Sequence, residues 1–288
     1  MNNKTILVTG ASGFIGRHVV SFLQKSHQNY NIIAAGRDEV KLKSLGCKYI
    51  VFDLNNQPAN IFEFMGRPDI MIHLAWDNLN NYKELAHLEH TLPAHIRFIK
   101  AMITGGLKNI TVVGTCYEYG NIDGCLSENI RSNPEMPYSI AKDTLRRFIE
   151  VLNKQYSFAY HWTRIFFVYG ESQQARTLFG QFEQAVSNGA ESFNMSGGEQ
   201  IRDYLHVDTL SEYLVELALD ENNSGVFNIC SGRHASVRNL VEGWLKERGK
   251  SMKLNLGFYP YTPYEPFAFW GDNTKILKFL KDSHASGN

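Results

Sequence analysis

A chain of 288 residues that is 43% hydrophobic and 12% aromatic has the apolar material for a sizeable core, as one large domain or two unequal lobes, which excludes a disordered protein. Lys plus Arg and Asp plus Glu both number 29 without a long run of one sign, which excludes a general nucleic-acid surface and leaves room only for local phosphate pockets. The four cysteines (Cys47, Cys116, Cys125 and Cys230) include no C-x-x-C pair, which argues against a zinc centre or a disulfide framework. No apolar stretch nears the ~20 residues that cross a bilayer, and the chain passes directly from "MNNK" into a strand-like run, so the expectation is a soluble cytoplasmic protein without signal peptide or membrane partner.

The first predicted strand, "TILVT" (5–9), runs into "GASGFIG", which sets Gly10, Gly13 and Gly16 between that strand and a helix over Phe14–Lys25. Glycine permits a sharp turn and a close backbone approach to a pyrophosphate, whose charge then sits at a helix N-terminus. Ser12, Phe14 and Ile15 complete the candidate cofactor loop; a tight turn without a ligand is the bland alternative.

The second strand, "NIIAA" (31–35), ends in Gly36 and Arg37. A protein specific for NAD carries an acid here, accepting from the 2′-hydroxyl of the adenine ribose. Gly36 offers neither that hydrogen bond nor repulsion of a phosphate, and Arg37 can donate to one, so the pair favours NADP(H). In the alternative, Arg37 caps or solvates the next helix and Asp38 recognises the ribose.

Further strands are predicted at "YIVF" (49–52), "DIMIHLA" (69–75), "NITVV" (109–113) and "WTRIFFV" (162–168), with helical periodicity over Tyr82–Gly105 and Tyr138–Gln155. Near-continuous apolar strands separated by helices predict an α/β fold with a doubly wound parallel sheet and ligands at the strands' carboxyl ends. Tyr138 and Lys142, four positions apart, share one helix face. A free tyrosine titrates near pKa ~10, and lowering it by ~3 units takes about 4 kcal/mol, which a neighbouring ammonium can supply in part. Tyr138 is thus the candidate proton donor or acceptor and Lys142 its electrostatic partner.

Beyond Gly170 the rhythm changes. A polar loop leads into a helix within "ESQQARTLFGQFEQAVSNG", and "GFYPYTPYEPFAFWGD" reads as irregular. The expected division is a dinucleotide-binding domain over 1–169, rejoined by a helix and a strand within about 203–231, and a smaller substrate-binding lobe from 170–202 and 232–288.

The G-x-x-G-x-x-G loop, followed in order by "FDL" (52–54), "HLA" (73–75), "TCYEYG" (115–120), "YSIAK" (138–142), "TRIFFVYG" (163–170), "GEQIRDYLHVDTL" (198–210) and "FNICSG" (227–232), resembles the extended short-chain dehydrogenases/reductases. These are the epimerases, dehydratases and reductases of nucleotide sugars. The resemblance implies a Rossmann fold in which Asp53 and Leu54 flank adenine, and Leu74 and Ala75 line the cofactor cleft. It gives Thr115 the task of holding the reacting oxygen and makes Lys142 a ribose ligand. A homodimer pairing the two long helices is also implied. On the substrate side it assigns Arg202 to a diphosphate, with pairing to Asp203 or Asp208 as the alternative. Phe193 or Met195 would pack on the base, and Tyr117 would face the sugar.

Two departures alter that transfer. Phe167 replaces an asparagine, and Tyr259, Tyr261 and Tyr264 stand where many relatives place an arginine, with Arg176 a candidate substitute. The related 4,6-dehydratases carry an Asp–Glu pair where this chain has Cys116 and Tyr117, so elimination lacks its acid and base. Cys116, with no partner histidine in the sequence pattern, reads as a packed residue. The resulting expectation is an NADPH-dependent reductase of a nucleotide-linked 4-keto-6-deoxy sugar, on dTDP or another pyrimidine nucleotide. Its rivals are a 4-epimerase that retains NAD and a non-catalytic NADP-binding sensor, which would have no need of Thr115, Tyr138 and Lys142 together.

Overall fold

The computed structural model describes residues 3–261 and 265–286. Its strands are β1 (Thr5–Thr9), β2 (Asn31–Gly36), β3 (Lys48–Val51), β4 (Ile70–His73), β5 (Asn109–Thr115), β6 (Gly124–Leu126) and β7 (Ala159–Ile165), then β8 (Phe167–Tyr169), β9 (Ser192–Asn194), β10 (Ile201–His206), β11 (Gly225–Ile229), β12 (His234–Ser236), β13 (Lys253–Asn255) and β14 (Phe269–Gly271). The helices are α1 (Phe14–Ser26), α2 (Glu39–Lys43), α3 (Ile61–Phe64), α4 (Leu92–Gly105), α5 (Pro137–Asn153), α6 (Leu178–Ser187), α7 (Val207–Leu219), α8 (Val237–Glu247) and α9 (Thr274–Ser286).

Seven strands form one parallel sheet in the order β11-β7-β5-β4-β1-β2-β3. The order reverses at β1, because the chain builds outward first through β2 and β3 and then through β4, β5, β7 and β11. Such a switch point opens a crevice beyond the carboxyl ends of the strands. Both faces are covered, as the unbroken apolar runs require: every residue of β5 is buried. Val19 and Leu23 of α1, Leu210 and Leu214 of α7, and Ile276 of α9 pack on one face. Phe98 and Met102 of α4, with Leu145 and Ile149 of α5, pack on the other around Trp162. Each such fully buried aliphatic or phenyl side chain contributes about 1.5–3 kcal/mol.

Four sequence expectations shift. The helix expected from Tyr82 begins as one wide π-helical turn at His87–Thr91, and α4 follows with Pro93 in its first turn. Proline has no N–H to complete an α-helical bond to the preceding turn and crowds the carbonyl four residues back, which the wider turn relieves. Residues 82–85 are turns rather than helix, and the Tyr82 carbonyl accepts the Tyr138 N–H of α5. The run "WTRIFFV" divides at Phe166. Its ring turns into a cluster with Tyr119, Leu126 and Phe269, and β8 leaves the main sheet to pair with β10.

A second apolar centre, built by Phe179, Phe182, Phe193, Met195, Val241 and Trp244, holds α6, α8 and β9 together. The tail helix α9, expected in the smaller lobe, packs instead against β11 and α7, with Phe279 against Phe227. The stretch expected to be irregular over 257–272 is so through Tyr261 and over 265–267, but its "FWG" forms β14 and pairs with β6; Tyr264 lies outside the described residues. Among those residues no helix is long and apolar enough to cross a membrane.

Candidate active site

The glycine loop sits at the switch point. Gly10 has φ +69°, and a Cβ there would stand 2.7 Å from the Ala75 nitrogen; a Cβ on Gly16 would stand 2.2 Å from the Gly10 carbonyl oxygen. Any side chain at either position forces the loop away from the backbone of Leu74 and Ala75 or from α1. Gly13 is the N-cap of α1 and brings no side-chain cap, and the first turn carries no acidic residue. Its N–H groups and the positive end of the helix dipole are thus available to an anion. A cradle that a Cβ would fill, beside an uncapped helix N-terminus, fits the pyrophosphate of a nicotinamide dinucleotide. Ser12 faces Gly36, where an added Cβ would come within 3.2 Å of its hydroxyl oxygen. Phe14 packs edge-on against His18, and Ile15 joins the sheet core.

At the end of β5 the chain makes a short 3₁₀ turn, Cys116–Tyr119, whose geometry is locked at both ends. Thr115 Oγ1 accepts from the Tyr117 N–H (3.3 Å), while the Glu118 carboxylate accepts from the Thr115 N–H (2.9 Å). Glu118 is wholly buried and also takes the Trp162 Nε1–H (3.0 Å) and the Arg164 guanidinium (2.8 Å). Burial pushes its carboxyl up, and the Arg164 charge pulls the other way.

Tyr138 and Lys142 lie one turn apart in α5, both buried and facing the Thr115 turn, so the three expected catalytic side chains converge. The electrostatic balance around them differs from the expectation. Burial pushes the Tyr138 hydroxyl well up, Tyr82 adds to this, and the Thr115 hydrogen bond opposes it. The Lys142 ammonium lies 5.9 Å from the Tyr138 ring centre and donates instead to the Val113 carbonyl (2.7 Å). A desolvated ammonium takes the strongest acceptor in reach, and burial lowers Lys142 to about 7.

Four aromatic groups that the motifs did not single out complete this volume. Trp76 lies with its ring 3.9 Å from the Lys142 ammonium, and His95 packs 4.5 Å from its ring centre. Its Nε1–H donates to His87 Nδ1 (3.2 Å), and His87 Nε2 donates in turn to the Asn81 carbonyl (3.0 Å). Tyr82 stacks on Tyr138 with ring centres 4.8 Å apart, and its carbonyl accepts the Tyr138 N–H (3.1 Å). Behind them His73 links Thr9 (2.8 Å) to His95 (2.7 Å). Burial, with the Lys142 charge, takes His73 down to about 3, so it is neutral.

The substrate side is rearranged. Arg202 is buried and pairs with neither Asp203 nor Asp208: it donates to the carbonyls of Ile201 and Phe267 and to Glu265 (3.0 Å). Asp203 instead holds the turn at Ser231 and Gly232. Glu265 also accepts from the Tyr117 hydroxyl (2.9 Å). Phe167 packs on Tyr117, Tyr204 and Phe269, and the Arg202 guanidinium lies 5.6 Å from its ring centre, so an aromatic wall stands where the asparagine was expected. Phe193 and Met195 offer no surface to a base: at 4% and 2% exposure both belong to the second core, because β9 turns that face inward. Arg176 is directed elsewhere, its guanidinium donating to the Leu79 carbonyl (3.3 Å). Cys116 is packed among Tyr119, Leu126 and Phe166, and burial raises its thiol, as a structural cysteine requires.

At the opposite edge of the crevice Arg37 forms an ion pair with Asp77 (2.9 Å). Asp53 accepts from the Asn55 N–H (2.9 Å) and closes the turn after β3, and Leu54 packs beneath in the core. Asp38 caps α2 through the Lys41 N–H (3.1 Å) and pairs with the Lys41 ammonium (3.0 Å).

Comparison with known proteins agrees with this architecture. The model of the NAD dependent epimerase/dehydratase family matches residues 6–230, and the chain belongs to that family. It is thereby an oxidoreductase-type enzyme of the extended short-chain group. A relative from Aggregatibacter actinomycetemcomitans, dTDP-6-deoxy-L-talose 4-dehydrogenase (NAD(+)), is 30% identical over 92% of this chain and 98% of its own length. Among solved structures, MoeE5 in complex with UDP-glucuronic acid and NAD is 26% identical with a TM-score of 0.81, covering 96% of this chain and 92% of that one. A UDP-glucose 4-epimerase from Thermotoga maritima, solved with UDP-glucose, is 25% identical with a TM-score of 0.82, covering 95% and 91%.

Proposed function

We propose that this protein is an NAD(H)-dependent oxidoreductase interconverting the 4-keto and 4-hydroxy forms of a nucleotide-linked 6-deoxyhexose. One observation carries the reading: Thr115, Tyr138 and Lys142 converge on one buried volume, while the two residues after Thr115 carry no carboxylate for elimination. The named activity of the Aggregatibacter relative supports the sugar class, dTDP being the nucleotide in that name.

The bound nicotinamide would supply or accept the hydride. Tyr138 donates a proton to the C4 oxygen in reduction and takes it back in oxidation. Lys142, charged, favours the tyrosinate that this leaves. Thr115, fixed by Glu118, orients the oxygen, and the ring packing of Trp76, Tyr82 and Tyr117 keeps water from a site where each charge acts strongly. Gly10, Ser12, Gly13, Phe14, Ile15 and Gly16 would hold the pyrophosphate, with Asp53, Leu54, Leu74 and Ala75 around the adenosine and nicotinamide ends. Arg202 remains the candidate for the substrate diphosphate, which must then displace Glu265. The NADPH expectation rested on a phosphate meeting Arg37; that guanidinium is already paired, and the relative's name and the MoeE5 complex both carry NAD.

A second reading, a 4-epimerase that retains its dinucleotide, is supported by the likeness to the Thermotoga epimerase. A panel of nucleotide-linked 4-keto sugars with NADH separates the two. A reductase consumes NADH mole for mole with sugar and yields the alcohol by NMR. An epimerase inverts C4 in 4-hydroxy sugars with no net change in nicotinamide absorbance. The homodimer is likewise a proposal, and light scattering that gives a monomer mass at micromolar concentration rejects it.

A further inference from the structure

The strand order places β1 between β2 and β4, so a contact between residues just beyond β2 and just beyond β4 must straddle the carboxyl end of β1, where the glycine loop begins. The Arg37–Asp77 pair makes that contact. Asn55 reaches the other Asp77 oxygen (3.4 Å) and also Asp53 (3.1 Å), so this rim carries two carboxylates against one guanidinium. The end of β2 beside a glycine loop is where the adenine ribose of a dinucleotide lies. There, specificity is decided by whether a 2′-hydroxyl finds an acceptor or a 2′-phosphate finds unpaired positive charge.

We propose that Asp77 sets the coenzyme preference: it occupies the Arg37 guanidinium, leaves this rim net negative, and so admits the free 2′-hydroxyl of NAD(H) while rejecting the 2′-phosphate of NADP(H). The acid missing from the end of β2 is thereby supplied from the end of β4, and the arginine that reads as a phosphate ligand serves as its anchor. Arg37 is largely exposed, so the pair acts mainly through charge placement and adds little to folding. Asp38 is already engaged as the cap of α2 and with Lys41, whereas Asp77 directly holds the arginine. This inference rests on the dinucleotide reading of the crevice and deepens it.

The test is equilibrium binding of NADH and NADPH to the full chain, followed by calorimetry and by the fluorescence of the reduced nicotinamide, for wild type, D77N and the double variant R37A/D77N. The wild type is expected to prefer NADH. In D77N the NADPH-to-NADH affinity ratio rises by at least about tenfold, the low end for one charge-assisted hydrogen bond, and most of the gain disappears in R37A/D77N. An unchanged ratio in a D77N protein with wild-type melting behaviour overturns the role of Asp77, as does a wild type that prefers NADPH. Binding of neither dinucleotide by a folded wild type removes the cofactor reading itself, a different failure.

Discussion

The Lys142 ammonium is held between two acceptors of different kinds: the Val113 carbonyl at 2.7 Å and the face of Trp76, whose ring centre lies 3.9 Å away. The carbonyl belongs to β5 and the indole to the segment after β4, so the charge is placed by two adjacent strands on one side of the switch point.

A cation over an indole face in a desolvated site is stabilised by about 2 kcal/mol, which opposes the burial that lowers Lys142. Replacing Trp76 by Leu removes that support and favours the neutral amine. The high-pH limb of kcat/KM that depends on charged Lys142 should therefore move down by about one unit. Phe in the same place should retain most of the effect. Identical pH profiles for the Leu and Phe variants would show that Trp76 only fills space.

Tyr138→Phe keeps the stacking on Tyr82 and removes only the proton. Turnover should fall by about 10²- to 10⁴-fold, with dinucleotide binding retained when followed by nicotinamide fluorescence. An active Phe variant takes Tyr138 out of the proton path.

Lys142 also carries a stability cost with a definite sign. Its folded value is about 7 against 10.5 for the free side chain, so between those values the unfolded chain binds more protons and stability rises with pH. Below about pH 7 the full cost of burying the charge is present; above about 10.5 it is gone. Lys142→Met should accordingly be more stable than the wild type by a few kcal/mol at pH 7, with the gap closing toward pH 10.5. Urea unfolding of both proteins across that range measures it, and a gap independent of pH would refute the assignment.

Glu118 holds the Thr115 turn, and its removal leaves the Arg164 guanidinium buried without its carboxylate. Glu118→Ala should destabilise the protein by about 3–5 kcal/mol. Adding Arg164→Met should restore much of the loss, because the orphaned charge then disappears. Chemical denaturation of the single and double variants checks both statements.

Much of this architecture was legible because strands buried on both faces must be apolar throughout: "TILVT", "NIIAA" and "NITVV" became neighbours in one sheet. Tyr138 and Lys142 were legible for the same kind of reason, since one helical turn is a fixed distance. What escaped depended on contacts between distant segments. Nothing local to "WTRIFFV" marks Phe166 as a corner, and nothing in an aromatic stretch says that Glu265 will meet Arg202 and Tyr117. The partner of Arg37 was equally hidden, for Asp77 lies forty residues on, past β3 and β4. A signal was available for Phe193 and Met195: alternation through "SFNM" turns both toward one face, and that face is the second core.

The most direct measurement of the central claim supplies nicotinamide-deuterated NADH with a dTDP-linked 4-keto-6-deoxyhexose and reads the sugar by NMR. Net reduction at C4 predicts one deuterium on that carbon for each NADH consumed. Conversion of dTDP-linked 4-hydroxy sugars to their C4 epimers, with no deuterium acquired and no NADH spent, would contradict it.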